Sequence, residues 1–141
     1  MSKSTGDLLM QLSNKKTVFK EFVCKNKESF IKKNAKKHWE NLLKKSEMTK
    51  SDIINKSDIG YTYFYDIIRG EKCPSRDKIV RLILSMNLSL DECQNTLKLY
   101  NWSQLYAKDK RDSAIIYAIN HQMTVWQLNE MMSENSIETL K

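Results

Sequence analysis

Tyr61, Thr62, Tyr65 and Asp66 place hydrogen-bonding groups at helical spacing within six residues. If residues 60–68 form a helix, these four project from one side of it. Phenols and hydroxyls donate and accept, their rings and methyl pack on apolar groups, and a carboxylate accepts. This is the chemistry of recognition, not of bond breaking. Lys50, Lys36, Lys37, Lys44, Arg69 and Lys72 add fixed positive charge before and after the run. Such cations suit the oxygens of an anionic partner.

The reactive residue types are sparse. Cys24, Cys73 and Cys93 stand far apart, and His38 and His121 are isolated. No CxxC or HxxxH pair is present, so a structural zinc site is not expected. Neither a Ser/His/Asp or Cys/His set nor a glycine-rich phosphate loop appears. The expectation is no enzyme, no cofactor and no metal. Three free thiols, with Cys93 in the core, predict a reducing cytoplasm. No apolar run approaches the roughly 20 residues of a membrane span. MSKSTGDLLMQLSNKK lacks the apolar stretch of a signal peptide, so none is expected.

The 141 residues carry a net charge of +7, unevenly placed. Residues 14–50 hold 12 Lys against 4 acids, and residues 51–141 hold 11 basic against 12 acidic side chains. This asymmetry points to a polyanionic partner, usually nucleic acid. Only 3 Gly and 1 Pro are present. Sandwiches and barrels need many tight turns built from those residues, so the chain reads as all-α.

Apolar spacing is helical throughout. Asp7 to Leu12 suggests a first short helix, and Thr17 caps a second bearing Val18, Phe19, Phe22 and Val23. Trp39, Leu42 and Leu43 should face a core. Two short helical patterns then follow between residues 49 and 70, with Asp58 and Gly60 bracketing the break. Both residues tolerate positive φ. Ile53, Ile59, Phe64 and Ile67 fit the inner corner of two helices that cross steeply, and Tyr63 falls to a structural position. Gly70 suits a helix C-terminus. Ser75 caps the next helix, and Ser89 to Glu92 and Thr124 to Gln127 fit capping boxes. Residues 101–108 read as a loop, and Asp109 or Asp112 starts the helix after it. His121 suits a helix C-terminus, Trp126, Met131 and Met132 a core stripe, and SENSIETLK a frayed end.

A helix, a sharp turn and a second helix over about 20 residues is the helix-turn-helix pattern. Met48-Thr49-Lys50 opens the first of its helices, and Arg69-Gly70-Glu71-Lys72-Cys73-Pro74-Ser75 closes the motif. With LSLDE at 88–92, residues 36–93 resemble an XRE-type domain, the Cro- and phage-repressor-like helix-turn-helix. Residues 105–132 resemble a C-terminal extension of small bacterial XRE-like regulators. The chain departs from the family in having Ile54 for a small residue, Asp58 for a turn glycine and Lys50 for a common glutamine.

The resemblance implies about five core helices within residues 36–100. An N-terminal helical extension (1–35) and a C-terminal one (101–141) packed on the same domain would flank them. It implies a bacterial transcriptional regulator that reads double-stranded DNA in the major groove with residues 60–68. Tyr61, Thr62, Tyr65 and Asp66 are then the base readers. Tyrosines bond or pack on thymine methyls, and Asp66 accepts from cytosine. Lys50, Lys36, Lys37, Lys44, Arg69 and Lys72 contact phosphate. The concentrated apolar load of residues 109–132 suggests a homodimer through the C-terminal helices; the alternative is that residues 7–31 pack there. The second functional reading is a module that keeps this fold but binds a protein, since tyrosine is favoured at protein interfaces.

Overall fold

A computed structural model describes residues 34–141. The helices anticipated near Asp7 and Thr17 lie outside the described residues. The described residues form seven helices and no strand. They are α1 (34–45), α2 (Lys50–Ser57), α3 (Tyr61–Ile68), α4 (Arg76–Ser85), α5 (Leu90–Leu99), α6 (Lys110–Asn120) and α7 (Val125–Glu134). The all-α expectation holds.

Short polar side chains start these helices. Thr49, Ser75, Ser89, Asp109 and Thr124 each accept from the backbone N–H three residues on. Glu92 and Gln127 complete the two capping boxes. Each cap satisfies a donor that the first turn leaves without a partner.

The helix ends explain how the chain manages with so little glycine. Gly70, Asn87, Asn101, Gln122 and Ser136 all take positive φ, between 52° and 78°. Each follows a helix, and the next residue's N–H reaches back five residues: Glu71 to Asp66, Leu88 to Ile83, Trp102 to Leu97, Met123 to Ala118 and Ile137 to Met132. These are Schellman terminations, and Leu88, Met123 and Ile137, the residues that close three of them, also pack into or against the core. Asn, Gln and Ser thus do work usually given to glycine.

Helix α4 is the hub and packs against α2, α5, α6 and α7. Its Ile79, Val80, Leu82, Ile83 and Leu84 are all buried. One continuous core joins Trp39 of α1, Ile53 of α2, Phe64 of α3, Leu97 of α5, Ile115 of α6 and Leu128 and Met132 of α7. The C-terminal hairpin of α6 and α7 therefore shares the core of the preceding helices. Trp39 donates to the Tyr100 hydroxyl at 2.8 Å, and the His38 Nε2 lies 2.7 Å from the Thr96 hydroxyl. Together these seat α1 on α5. Burial pushes the Cys93 thiol up to about 12, which leaves it protonated and unreactive at neutral pH.

Two expectations fail in this part of the chain. Trp126 stands on the first turn of α7 with 70% of its surface exposed, so Met132 and Leu128 fill the core without it. The C-terminal residues do not fray. Leu140 is buried, and its N–H donates to the Asn129 side chain at 2.8 Å.

Arginine holds that segment down. Arg111 forks onto both carboxylate oxygens of Asp77, at 3.0 and 2.8 Å, and also donates to the carbonyls of Glu138 and Thr139. Arg81 donates to the main-chain oxygens of Leu140 and Lys141 and, on its other side, to the Ser57 carbonyl at the end of α2. Arg76 forks onto buried Asp112 at 2.8 and 2.9 Å and donates to the carbonyls of Ser103 and Gln104. A planar guanidinium offers five donors in fixed directions, which suits it to such seams.

Candidate functional site

The site is built on α2, its turn and α3. Asp58 takes φ 55°, the left-handed conformation that short polar side chains tolerate, and stops α2 after two turns. Gly60 does not share that strain. Its φ is −56°, and a Cβ there would meet nothing within 4 Å. Of the two residues that tolerate positive φ, only Asp58 adopts it. Between them Ile59 dips into the core, where it joins Ile53, Phe64 and Ile67. Those four buried side chains fix the angle between the helices, and the remaining face of α3 is left to solvent.

Tyr61 leads that face, 67% exposed, and Thr62 beside it is exposed as well. Tyr65 is half-buried one turn on, and its ring centroid lies 4.7 Å from that of Tyr61 with the planes tilted by 55°. The Lys50 ammonium sits 5.7 Å from the centre of the Tyr65 ring, within cation–π range. Ser51, Ile54 and Asn55 of α2 complete a shallow cleft of about 280 Å³ against the two tyrosines. Ser51 and Asn55 are polar residues that sequence reasoning missed; only the packing of α2 beside α3 reveals them. Tyr63 is half-buried on the opposite side, with the Lys78 ammonium 6.0 Å from its ring centre. Burial, with Cys73 nearby, raises its phenol pKa above the usual tyrosine value.

Asp66 is already engaged through one of its two carboxylate oxygens. Its Oδ1 receives a 2.7 Å hydrogen bond from Arg69 Nη2, an i,i+3 ion pair on the helix surface. Its carbonyl also accepts from the N–H groups of Glu71 and Lys72, which closes the end of α3. The carboxylate's negative charge is thus offset on the spot, and Arg69 turns back toward its own helix.

The expected cations fall into two groups. Lys50 and Arg69 touch side chains of α3, and Lys72 joins it through its backbone. Lys36, Lys37 and Lys44 stand exposed on α1. The Thr49 cap places Lys50 in the first turn of α2, where N–H groups and the helix dipole also favour an anion.

Elsewhere, an open polar cleft between α1 and α5 is lined by His38, Lys45, Glu92 and Lys98. Burial, reinforced by Lys45, lowers the His38 pKa below its usual 6.5. Thr96 donates to the Glu92 carbonyl, so its oxygen accepts from His38, whose proton therefore sits on Nε2. Among the described residues, no three His, Cys, Asp or Glu side chains converge as metal ligands, and no helix is long and apolar enough to cross a membrane.

No family model, curated protein or solved structure matches the chain. Its functional reading therefore rests on geometry and on the motif itself.

Proposed function

We propose that the protein is a sequence-specific DNA-binding transcriptional regulator of the XRE type that lays α3 in the major groove. The observation that carries this reading is the pairing of an exposed Tyr61–Thr62–Tyr65 face with Lys50 in the first turn of α2, beside the same tyrosines. The face supplies groups for base edges, and Lys50 and α2's first turn suit a phosphate. Lys36, Lys37, Lys44 and Lys72 would add to the electrostatic attraction, in keeping with a cytoplasmic bacterial protein. Two such units on a pseudopalindrome need a dimer. Tyr117 and Trp126, exposed on the α6–α7 hairpin, are the surface we assign to it.

Selection of bound duplexes from a random pool tests the proposal. An enriched half-site is the expected result, and Thr62→Ala should then cost about 1–3 kcal/mol on that site and less on random DNA. Light scattering should give twice the 16.6 kDa chain mass, reduced to one chain mass by Trp126→Glu. The specific observation favouring a protein partner is the neutralised Asp66–Arg69 pair next to two tyrosines, a surface poor in free cations. That reading predicts no enriched sequence and no steep dependence of binding on salt.

A further inference from the structure

We infer that what the α3 face reads is the C5-methyl group of thymine, so the preferred half-site is specified by A·T pairs and not by guanine. This rests on the DNA-binding reading above and adds its chemical target.

The commonest guanine readers are arginine and lysine, which bind O6 and N7. The lysine at this face, Lys50, opens α2 with its ammonium 5.7 Å from the Tyr65 ring, where it suits a phosphate. This chain has four arginines, Arg69, Arg76, Arg81 and Arg111. Three have every guanidinium nitrogen engaged inside the protein: Arg76 with Asp112 and two carbonyls, Arg111 with Asp77 and two carbonyls, Arg81 with three carbonyls. Arg69, the remaining one, is folded back onto Asp66 at the C-terminal end of α3. The same bond takes one of the two oxygens of the Asp66 carboxylate and offsets its charge, which weakens its hold on a cytosine donor.

What α3 presents instead is apolar with hydroxyl edges. Tyr61 and Tyr65 hold their rings 4.7 Å apart, Ile54 lines the cleft with them, and Thr62, which carries a methyl, is exposed next to Tyr61. In the major groove the thymine C5-methyl is the apolar mark that distinguishes one base from the other three. A ring pair braced by Phe64 and by Lys50 offers it a fixed apolar seat.

The test uses the full chain and the duplex enriched from a random pool. Each thymine of the half-site is replaced in turn by deoxyuridine, which deletes only the methyl. Affinity should fall about fourfold at each thymine that is read, the factor expected for one buried methylene-sized group. Tyr61→Ala, at an exposed position, should abolish that loss at one or more thymines, and Tyr61→Phe should restore it. An enriched half-site specified by G·C pairs, or one in which every uracil replacement is neutral, overturns the inference and leaves DNA reading standing. Failure to enrich any sequence overturns both.

Discussion

The α2–α3 face and the seam that joins α4 to the C-terminal hairpin use positive charge in opposite ways. On the face the lysine beside the tyrosines, Lys50, is exposed and rests over the Tyr65 ring. Along the seam Arg76, Arg81 and Arg111 are each fixed by three or four hydrogen bonds to carboxylates and main-chain oxygens. Lysine is a mobile point charge, whereas arginine is a planar fork whose bonds are directional. A surface that must adapt to a passing anion suits the first, and a junction that must set the angle between helices suits the second. The difference teaches that net charge alone locates neither function nor stability; the type of cation and the number of its partners do.

Breaking the seam should produce the largest effect. Asp112→Ala strands Arg76 without its carboxylate and removes the acceptor for the Tyr106 N–H, so unfolding in denaturant should show a loss of about 3 kcal/mol. Loss below about 0.5 kcal/mol would reduce the pair to surface decoration.

Acid should attack the same region next. Burial raises the carboxyl pKa of Asp77 and Asp112, but hydrogen bonds from Arg111 and Arg76, helped by Lys141 and Tyr106 N–H groups, outweigh it and leave both below the usual 3.8. Their folded pKa values lie under the unfolded ones, so their contribution is complete above pH 3.8 and is lost as pH falls through the folded values. Denaturant midpoints measured downward from about pH 5 should show that loss, and Asp112→Asn should remove part of it.

Lys50→Ala sharpens the contrast from the other side. Folding stability should change by no more than about 0.5 kcal/mol, as for an ordinary surface position. The slope of log affinity against log salt should flatten by about 0.9, the value of one phosphate contact. The smallest effect belongs to His38. Its folded pKa lies below 6.5, so the unfolded chain takes up the proton first and stability falls as pH drops through 6.5. That decline should be absent in His38→Gln.

Local chemistry made most of the fold legible. Thr49, Ser75, Ser89, Asp109 and Thr124 announce helix starts because a cap needs only the next three residues. Ile53, Ile59, Phe64 and Ile67 announce the corner because helical spacing makes one face apolar. The C-terminal segment was illegible for the opposite reason. Arg81 to Leu140 and Arg111 to Asp77 span 59 and 34 residues, and no periodicity records such a pairing. Trp126 looked like core because its neighbours Leu128 and Met132 are core, and the register of α7 turns it out to solvent. Asp66 and Arg69 are three residues apart on one helix, and an exposed acid at that spacing is as readily salt-bridged as it is a base reader; the structure gives the pair.

Arg81 has a consequence for how the molecule breathes. One guanidinium bridges the last carbonyl of α2, at Ser57, and the main-chain oxygens of Leu140 and Lys141. Peeling residues 137–141 away removes two of its three acceptors and leaves it held by the Ser57 carbonyl alone, which loosens the end of α2. The turn at Asp58 and the C-terminal segment then belong to one cooperative unit, although about 80 residues separate them. Amide exchange in the two places should proceed at matched rates and respond together to any substitution at Arg81.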